Sequence, residues 1–109
     1  MSVGGSLRTI RLGGELDIAR KNEIREALIR EAGDRAVLID LSEATYADSV
    51  ALTELLRFCV TAQHDGVLVA LVIRTPQFAR VVQYAGLAGA FKIFDDRDAA
   101  LEYLSEGTR

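Results

Sequence analysis

The tetrapeptide Tyr46-Ala47-Asp48-Ser49 places a hydroxyl beside a carboxylate where the clearest amphipathic helix of the chain begins. A serine so placed is a candidate phosphate acceptor. A phosphate there would meet the N–H groups of a first helical turn and the positive end of the helix dipole. It would add about −1.5 to −2 charge at pH 7. Such a change alters a surface and spares the fold. Asp17 adds a second carboxylate if the first strand ends close by. The same residues also suit a plain N-cap, since either Asp48 or Ser49 can accept a backbone N–H.

Other chemistry is scarce. His64 is the only histidine and Cys59 the only cysteine in 109 residues. This leaves no internal disulfide, no cysteine-based zinc cage and no multi-histidine metal site. A Ser-His or Cys-His hydrolase would have to use His64, which falls in the last turn of the Ser49 helix, where histidine commonly faces solvent and complements the dipole. Cys59 shares the apolar face of that helix with Leu55, Leu56 and Val60 and reads as a packing residue. Asp95, Asp96 and Asp98 suit the first turn of a helix better than a cation site. Gly13-Gly14 lacks the Lys-Ser/Thr that a phosphate loop requires. No enzyme, cofactor or metal is expected.

Thirteen Lys and Arg against sixteen Asp and Glu give a net charge of −3, scattered along the chain. Nucleic-acid binders usually concentrate positive charge, so no direct nucleic-acid partner is expected. No apolar run approaches the ~18 residues of a membrane span, and Met1 to Gly5 lack a signal-peptide pattern. The expected location is the cytoplasm.

The elements that must position Ser49 alternate in type. Leu7 to Ile18 carries Ile10, Leu12, Leu16 and Ile18 at even positions, a half-buried strand loosened at Gly13-Gly14. Ala19 to Ala32 turns helical through Ile24, Ala27, Leu28 and Ala32, with Arg20, Lys21, Arg25 and Arg30 elsewhere and Gly33 as a stop. Val37 to Leu41 is a branched apolar run, as in a central strand covered on both faces. Ser42 to Ala47 is a link. Leu52, Leu55, Leu56, Cys59, Val60 and Gln63 then mark the Ser49 helix, which Asp65-Gly66 ends. Val67 to Ile73 is a second buried strand. Thr75-Pro76 opens a helix to about Ala85, with Gly86 closing it. A strand from Phe91 to Phe94 and a helix from Asp95 or Asp96 to about Leu104 complete the chain. These features predict one α/β domain over residues 1–109, with right-handed crossovers in a mostly parallel sheet of about four to five strands and with four helices.

Several motifs occur in order: Gly14-Glu15-Leu16-Asp17-Ile18, Val37-Leu38-Ile39-Asp40-Leu41-Ser42, Tyr46-Ala47-Asp48-Ser49 running into Leu52, Gly66, Gly86-Leu87 and Phe91-Lys92-Ile93-Phe94. Together they resemble the STAS family of bacterial anti-sigma factor antagonists over nearly the whole chain. The resemblance implies a STAS-like fold and a partner switch regulating sigma-factor-dependent transcription. Unphosphorylated, such a protein binds an anti-sigma factor that is also a serine kinase; phosphorylation breaks the complex and a serine phosphatase restores it. Carried over by position, Ser49 is the phosphoacceptor, Asp48 orients it or contributes to kinase recognition, and Asp17 is the acidic neighbour. Val50 joins them in the partner-binding set. The chain departs from the family pattern where Val50 and Ala51 replace a second small hydroxyl residue and a glycine. It also leaves only Met1 to about Ser6 for the strand that relatives carry first, and an open sheet edge there would invite a homodimer. The alternative is a non-enzymatic STAS scaffold or accessory subunit of a stress-signalling complex or lipid transporter, with Ser49 unphosphorylated.

Overall fold

A computed structural model describes residues 6–29, 33–84 and 92–107. The apolar run at Ala36 to Ile39 explains the architecture, because a strand buried on both faces needs cover from both sides. That strand, β3 (Asp34–Asp40), pairs in parallel with β1 (Ser6–Arg11) on one side and β5 (Leu68–Val72) on the other. A short strand, β6 (Lys92–Phe94), completes a four-stranded parallel sheet of order β1-β3-β5-β6. Ile10, Ile39, Leu71 and Ile93 lie in one cross-strand row.

Helices α1 (Lys21–Ala27), α2 (Ser49–His64) and α3 (Pro76–Tyr84) contribute to the larger core. There Ile24, Leu55, Phe58, Cys59, Phe78 and Val82 pack with Val37, Ile39, Val69 and Leu71. On the opposite face α4 (Arg97–Gly107) packs Ala100 and Leu104 against Ala36, Leu38, Ala70 and Val72. The expected mostly parallel sheet and four α-helices are therefore present.

Four boundaries differ from the sequence expectation. The segment Leu7 to Ile18 forms two strands rather than one: β1 joins the main sheet, whereas β2 (Gly14–Leu16) pairs in parallel with β4 (Ala44–Ala47) as a separate ribbon. Gly14, at φ +77°, supplies the turn between them. A Cβ on Gly13 would lie 3.1 Å from that of Glu43, so a larger residue there would press on the segment leading into β4. Ser42 to Ala47, expected as a link, holds β4. The helix expected from Ala19 to Ala32 opens as a single 3₁₀ turn (Ile18–Arg20), and its α-helical part ends at Ala27, where the Leu28 N–H bonds the carbonyls of Ile24 and Arg25. The last helix begins at Arg97, with the Asp96 carboxylate accepting the Ala99 N–H at 3.0 Å, and runs to Gly107. The expected helix end near Ala32, the Ala85-Gly86 turn, the strand start at Phe91 and the shortened first strand at residues 1–5 lie outside the described residues. Among the described residues, no helix is long and apolar enough to cross a membrane.

Candidate functional site

Because β2 and β4 are parallel, they deliver their next residues to the same end of the ribbon. Glu15 aligns with Tyr46 and Leu16 with Ala47, so Asp17 and Asp48 follow side by side. The Asp48 N–H donates to the Leu16 carbonyl at 3.0 Å, extending the ladder by one bond. Each aspartate then opens a helix. Asp17 Oδ1 accepts the Ala19 N–H at 3.2 Å and caps the 3₁₀ turn. Asp48, with extended backbone (φ −87°, ψ −179°), caps α2 through Oδ1, which accepts the Ala51 N–H at 3.0 Å. Its second oxygen, Oδ2, accepts the Ile18 N–H at 2.9 Å.

The choice of N-cap is thereby settled as Asp48, and Ser49 is the exposed first helical residue. Its carbonyl accepts the Thr53 hydroxyl at 2.7 Å, one turn on. The N–H groups of Ser49 and Val50 belong to the first turn, which has no intrahelical acceptors. Val50 is half-buried, and Ala51 is packed into the larger core.

Two side chains hold this corner in place. Arg20 donates through Nη1 to the carbonyls of Gly13 (2.6 Å) and Glu15 (3.0 Å) and forms a fork to Glu23 at 3.0 and 2.8 Å. The hydrogen bonds from Arg20 lower the Glu23 pKa, and Glu23 in turn raises that of Arg20. At the carboxyl end of β3, Asp40 Oδ1 accepts the Ser42 N–H (3.0 Å) and hydroxyl (2.6 Å), closing the turn that leads into β4. Oδ2 faces Arg11 Nε at 3.6 Å and Arg97 Nη1 at 3.5 Å. Burial pushes the Asp40 pKa up, but the Ser42 bonds and the two guanidinium groups outweigh it, so the carboxyl titrates below its ordinary range.

Residues 2–100 match the STAS domain. The chain belongs to the STAS domain family. No curated protein sequence matches it. Among solved structures, a sulfate transporter family protein from Wolinella succinogenes superposes with a TM-score of 0.80 at 15% identity, covering 97% of this chain and 91% of its own. A candidate anti-sigma factor antagonist from Thermotoga maritima gives 0.76 at 22% identity, covering 89% and 87%. The unphosphorylated form of the anti-sigma factor antagonist SpoIIAA gives 0.71 at 18% identity, covering 96% and 94%. At these identities the likeness is one of fold.

In this STAS domain the four residues singled out in the sequence, Asp17, Asp48, Ser49 and Val50, converge at one end of the β2–β4 ribbon. His64 lies exposed in the last turn of α2, at the far end of the helix from Ser49. Cys59 is fully buried, and burial pushes its thiol pKa up to about 12. Among the described residues there is no group of three or more His, Cys, Asp or Glu able to hold a metal ion. Sequence reasoning missed Arg20, assigned only to the polar side of a helix; its i,i+3 spacing from Glu23 and the carbonyls of a Gly-Gly pair were the available signals. It also missed a groove of about 300 Å³ between β4 and α3, lined by Tyr46, Ala47, Thr75, Phe78 and Val81 among others. That groove depends on β4 being a strand, which no local pattern announced.

Proposed function

We propose that this STAS domain is an anti-sigma factor antagonist whose partner is an anti-sigma factor with serine kinase activity, and that phosphorylation of Ser49 switches the complex off. The observation that carries the reading is the division of labour between Asp48 and Ser49. Asp48 supplies the cap, so the exposed Ser49 hydroxyl can be modified without unseating α2. In the transfer, Ser49 Oγ attacks the γ-phosphorus of ATP held by the kinase. The bond to the β,γ-bridging oxygen breaks, ADP departs, and the hydroxyl proton passes to a base on the kinase. A serine phosphatase reverses the state by hydrolysis, returning the hydroxyl and inorganic phosphate. The new dianion would meet first-turn N–H groups and the helix dipole, so its effect falls on the partner's surface. Asp17 and Asp48 border the site, and Val50 contributes contact area. The domain itself works without catalysis, cofactor or nucleic acid, as a single cytoplasmic unit over residues 1–109, and pairing at the β1 edge would make a homodimer.

Incubation with the cognate serine kinase and ATP, followed by mass-spectrometric mapping, is expected to place the phosphate on Ser49. Modification elsewhere, with none on Ser49, would overturn the reading. A second reading is favoured by Val50, a bulky neighbour where a kinase must reach the serine: a non-enzymatic scaffold or accessory subunit of a stress-signalling complex or lipid transporter. It predicts an unmodified Ser49 in the same experiment.

A further inference from the structure

Three of the large apolar side chains that the described residues leave exposed lie on the Ile18 turn tied to Asp48 or on the groove that Ala47 lines. Ile18 (66% exposed) sits on the 3₁₀ turn tied to Asp48, while Tyr46 (53%) and Val81 (47%) form the rim of the groove between β4 and α3. Buried Phe78 contributes to its lining. Ala47, also in the lining, is two residues from Ser49, so the groove adjoins the modifiable hydroxyl. At about 300 Å³ the groove lies at the lower limit of small-molecule sites, which run from about 300 to 1,000 Å³, and it has room for an anchoring side chain. Tyr46 and Phe78 supply the aromatic residues enriched at protein-interface centres, beside the polar Thr45, Thr75 and Gln77.

Charge identifies the kind of partner. On the β2–β4 side, residues 14–19 and 43–50 contain Glu15, Asp17, Glu43 and Asp48, with Arg20 engaged by Glu23 and by the Gly13 and Glu15 carbonyls, whereas Arg74 and Arg80 flank the lining residues Thr75 and Val81 on the α3 side. A complementary surface is therefore basic where its apolar centre meets the β2–β4 side. A second groove, about 240 Å³ between α1 and α2, also has an exposed apolar residue, Ile29, and buried Phe58, but its wall carries Arg25 and Arg57 beside Glu54, and it shares no residue with the Ser49 turn.

We propose that the β4–α3 groove is the anchor pocket for the protein partner that reads Ser49, and that the partner fills it with an aliphatic side chain flanked by basic residues. This deepens the proposed function and rests on it for the partner's identity. The basic flanks engage Glu15, Asp17 and Glu43 on the β2–β4 side of the groove. Once Ser49 is phosphorylated, the added phosphate crowds the partner surface beside the filled groove, and the anchor is released.

The test uses the ¹⁵N-labelled full chain and a probe that requires no kinase, the peptide acetyl-Arg-Leu-Arg-amide. Amide shifts at Thr45, Tyr46, Ala47, Thr75 and Val81 are expected to saturate. Substituting alanine for the central leucine, or glutamates for the arginines, should weaken binding by about fivefold or more, as should Val81→Ser and Tyr46→Ser, given the apolar area each removes. Val60→Ser, which removes an exposed apolar side chain elsewhere on α2, should leave binding unchanged. Shifts confined to the α1–α2 groove, equal affinity for all three peptides, or no saturable shift would overturn the proposal. Concentration-dependent shifts of the same amides without peptide would assign the groove to a second copy and also overturn it. If the peptide binds as expected but the kinase leaves Ser49 unmodified, the groove stands and the proposed function falls. If Ser49 is modified and the peptide fails, the reverse holds.

Discussion

Asp48 Oδ2 accepts the Ile18 backbone N–H at 2.9 Å while its other oxygen caps α2, so one carboxylate closes two helix starts. Replacing Asp48 by alanine should lower stability by about 0.5–2 kcal/mol, chiefly the cost of a lost N-cap, because water can take up the exposed Ile18 N–H. Asp48→Ser can keep the α2 cap but cannot reach both donors, so it should fall between alanine and the natural residue. Urea unfolding of the three proteins gives the order; equal midpoints for serine and aspartate would remove the Ile18 bond from the account.

Ser49 should behave differently from its neighbour. With Asp48 as the cap, Ser49→Ala should change stability by no more than about 0.5 kcal/mol, the usual range for an exposed substitution. Ser49→Asp adds a negative charge to the first turn and should be neutral or stabilising by a few tenths of a kcal/mol. In anti-sigma factor binding the two variants should separate: alanine keeps the affinity and aspartate weakens it by about tenfold, or about 1.4 kcal/mol. Calorimetric titration showing equal affinities would mean that the serine is not the switch.

Asp40 predicts an acid limb. Its folded-state pKa lies below the ordinary aspartate value of 3.8, so its contribution to stability is complete above that value and is lost as pH falls toward the folded-state value. Ser42→Ala removes the 2.6 Å hydroxyl bond and should cost about 1–2 kcal/mol at pH 7. It should also flatten the acid limb, because the cause of much of the lowering is gone. Unfolding free energies measured from pH 7 down to pH 3 test both statements.

The Cys59 thiol, buried and with its pKa pushed up to about 12, should not react with a thiol reagent at pH 8 in the native protein. One equivalent should appear when the chain is unfolded in denaturant. Rapid native labelling would show that α2 opens far more readily than its packing suggests.

Long periodic elements were readable in the sequence and short cooperative ones were not. α2 announces itself through apolar residues at helical spacing over sixteen residues, and β3 and β5 through branched apolar runs. β4 has four residues, with Ala44 buried and Thr45 and Tyr46 both exposed, so no alternation marks it. Ile10, Leu12 and Leu16 join the same core across Gly13-Gly14, which makes two strands look like one. What changes there is the pairing partner, a non-local fact. The helix signal at Leu28 likewise outlasts α1, because Leu28 remains buried after the α-helical geometry has ended at Ala27. At the candidate site, Asp48 and Ser49 were identifiable as a helix start, but the choice between them as cap, and the tie to Ile18, required the register of β2 against β4.

The bond between Asp48 and Ile18 spans thirty positions of sequence. The surface around Ser49 therefore exists only after β2 and β4 have met, a loop-closing step that local helix formation cannot replace. An isolated peptide carrying Tyr46 to Leu52 contains the serine and its aspartate but lacks the Ile18 turn and the groove. Any partner that depends on all three distinguishes the finished fold from a nascent or damaged chain, and its recognition doubles as a report on folding.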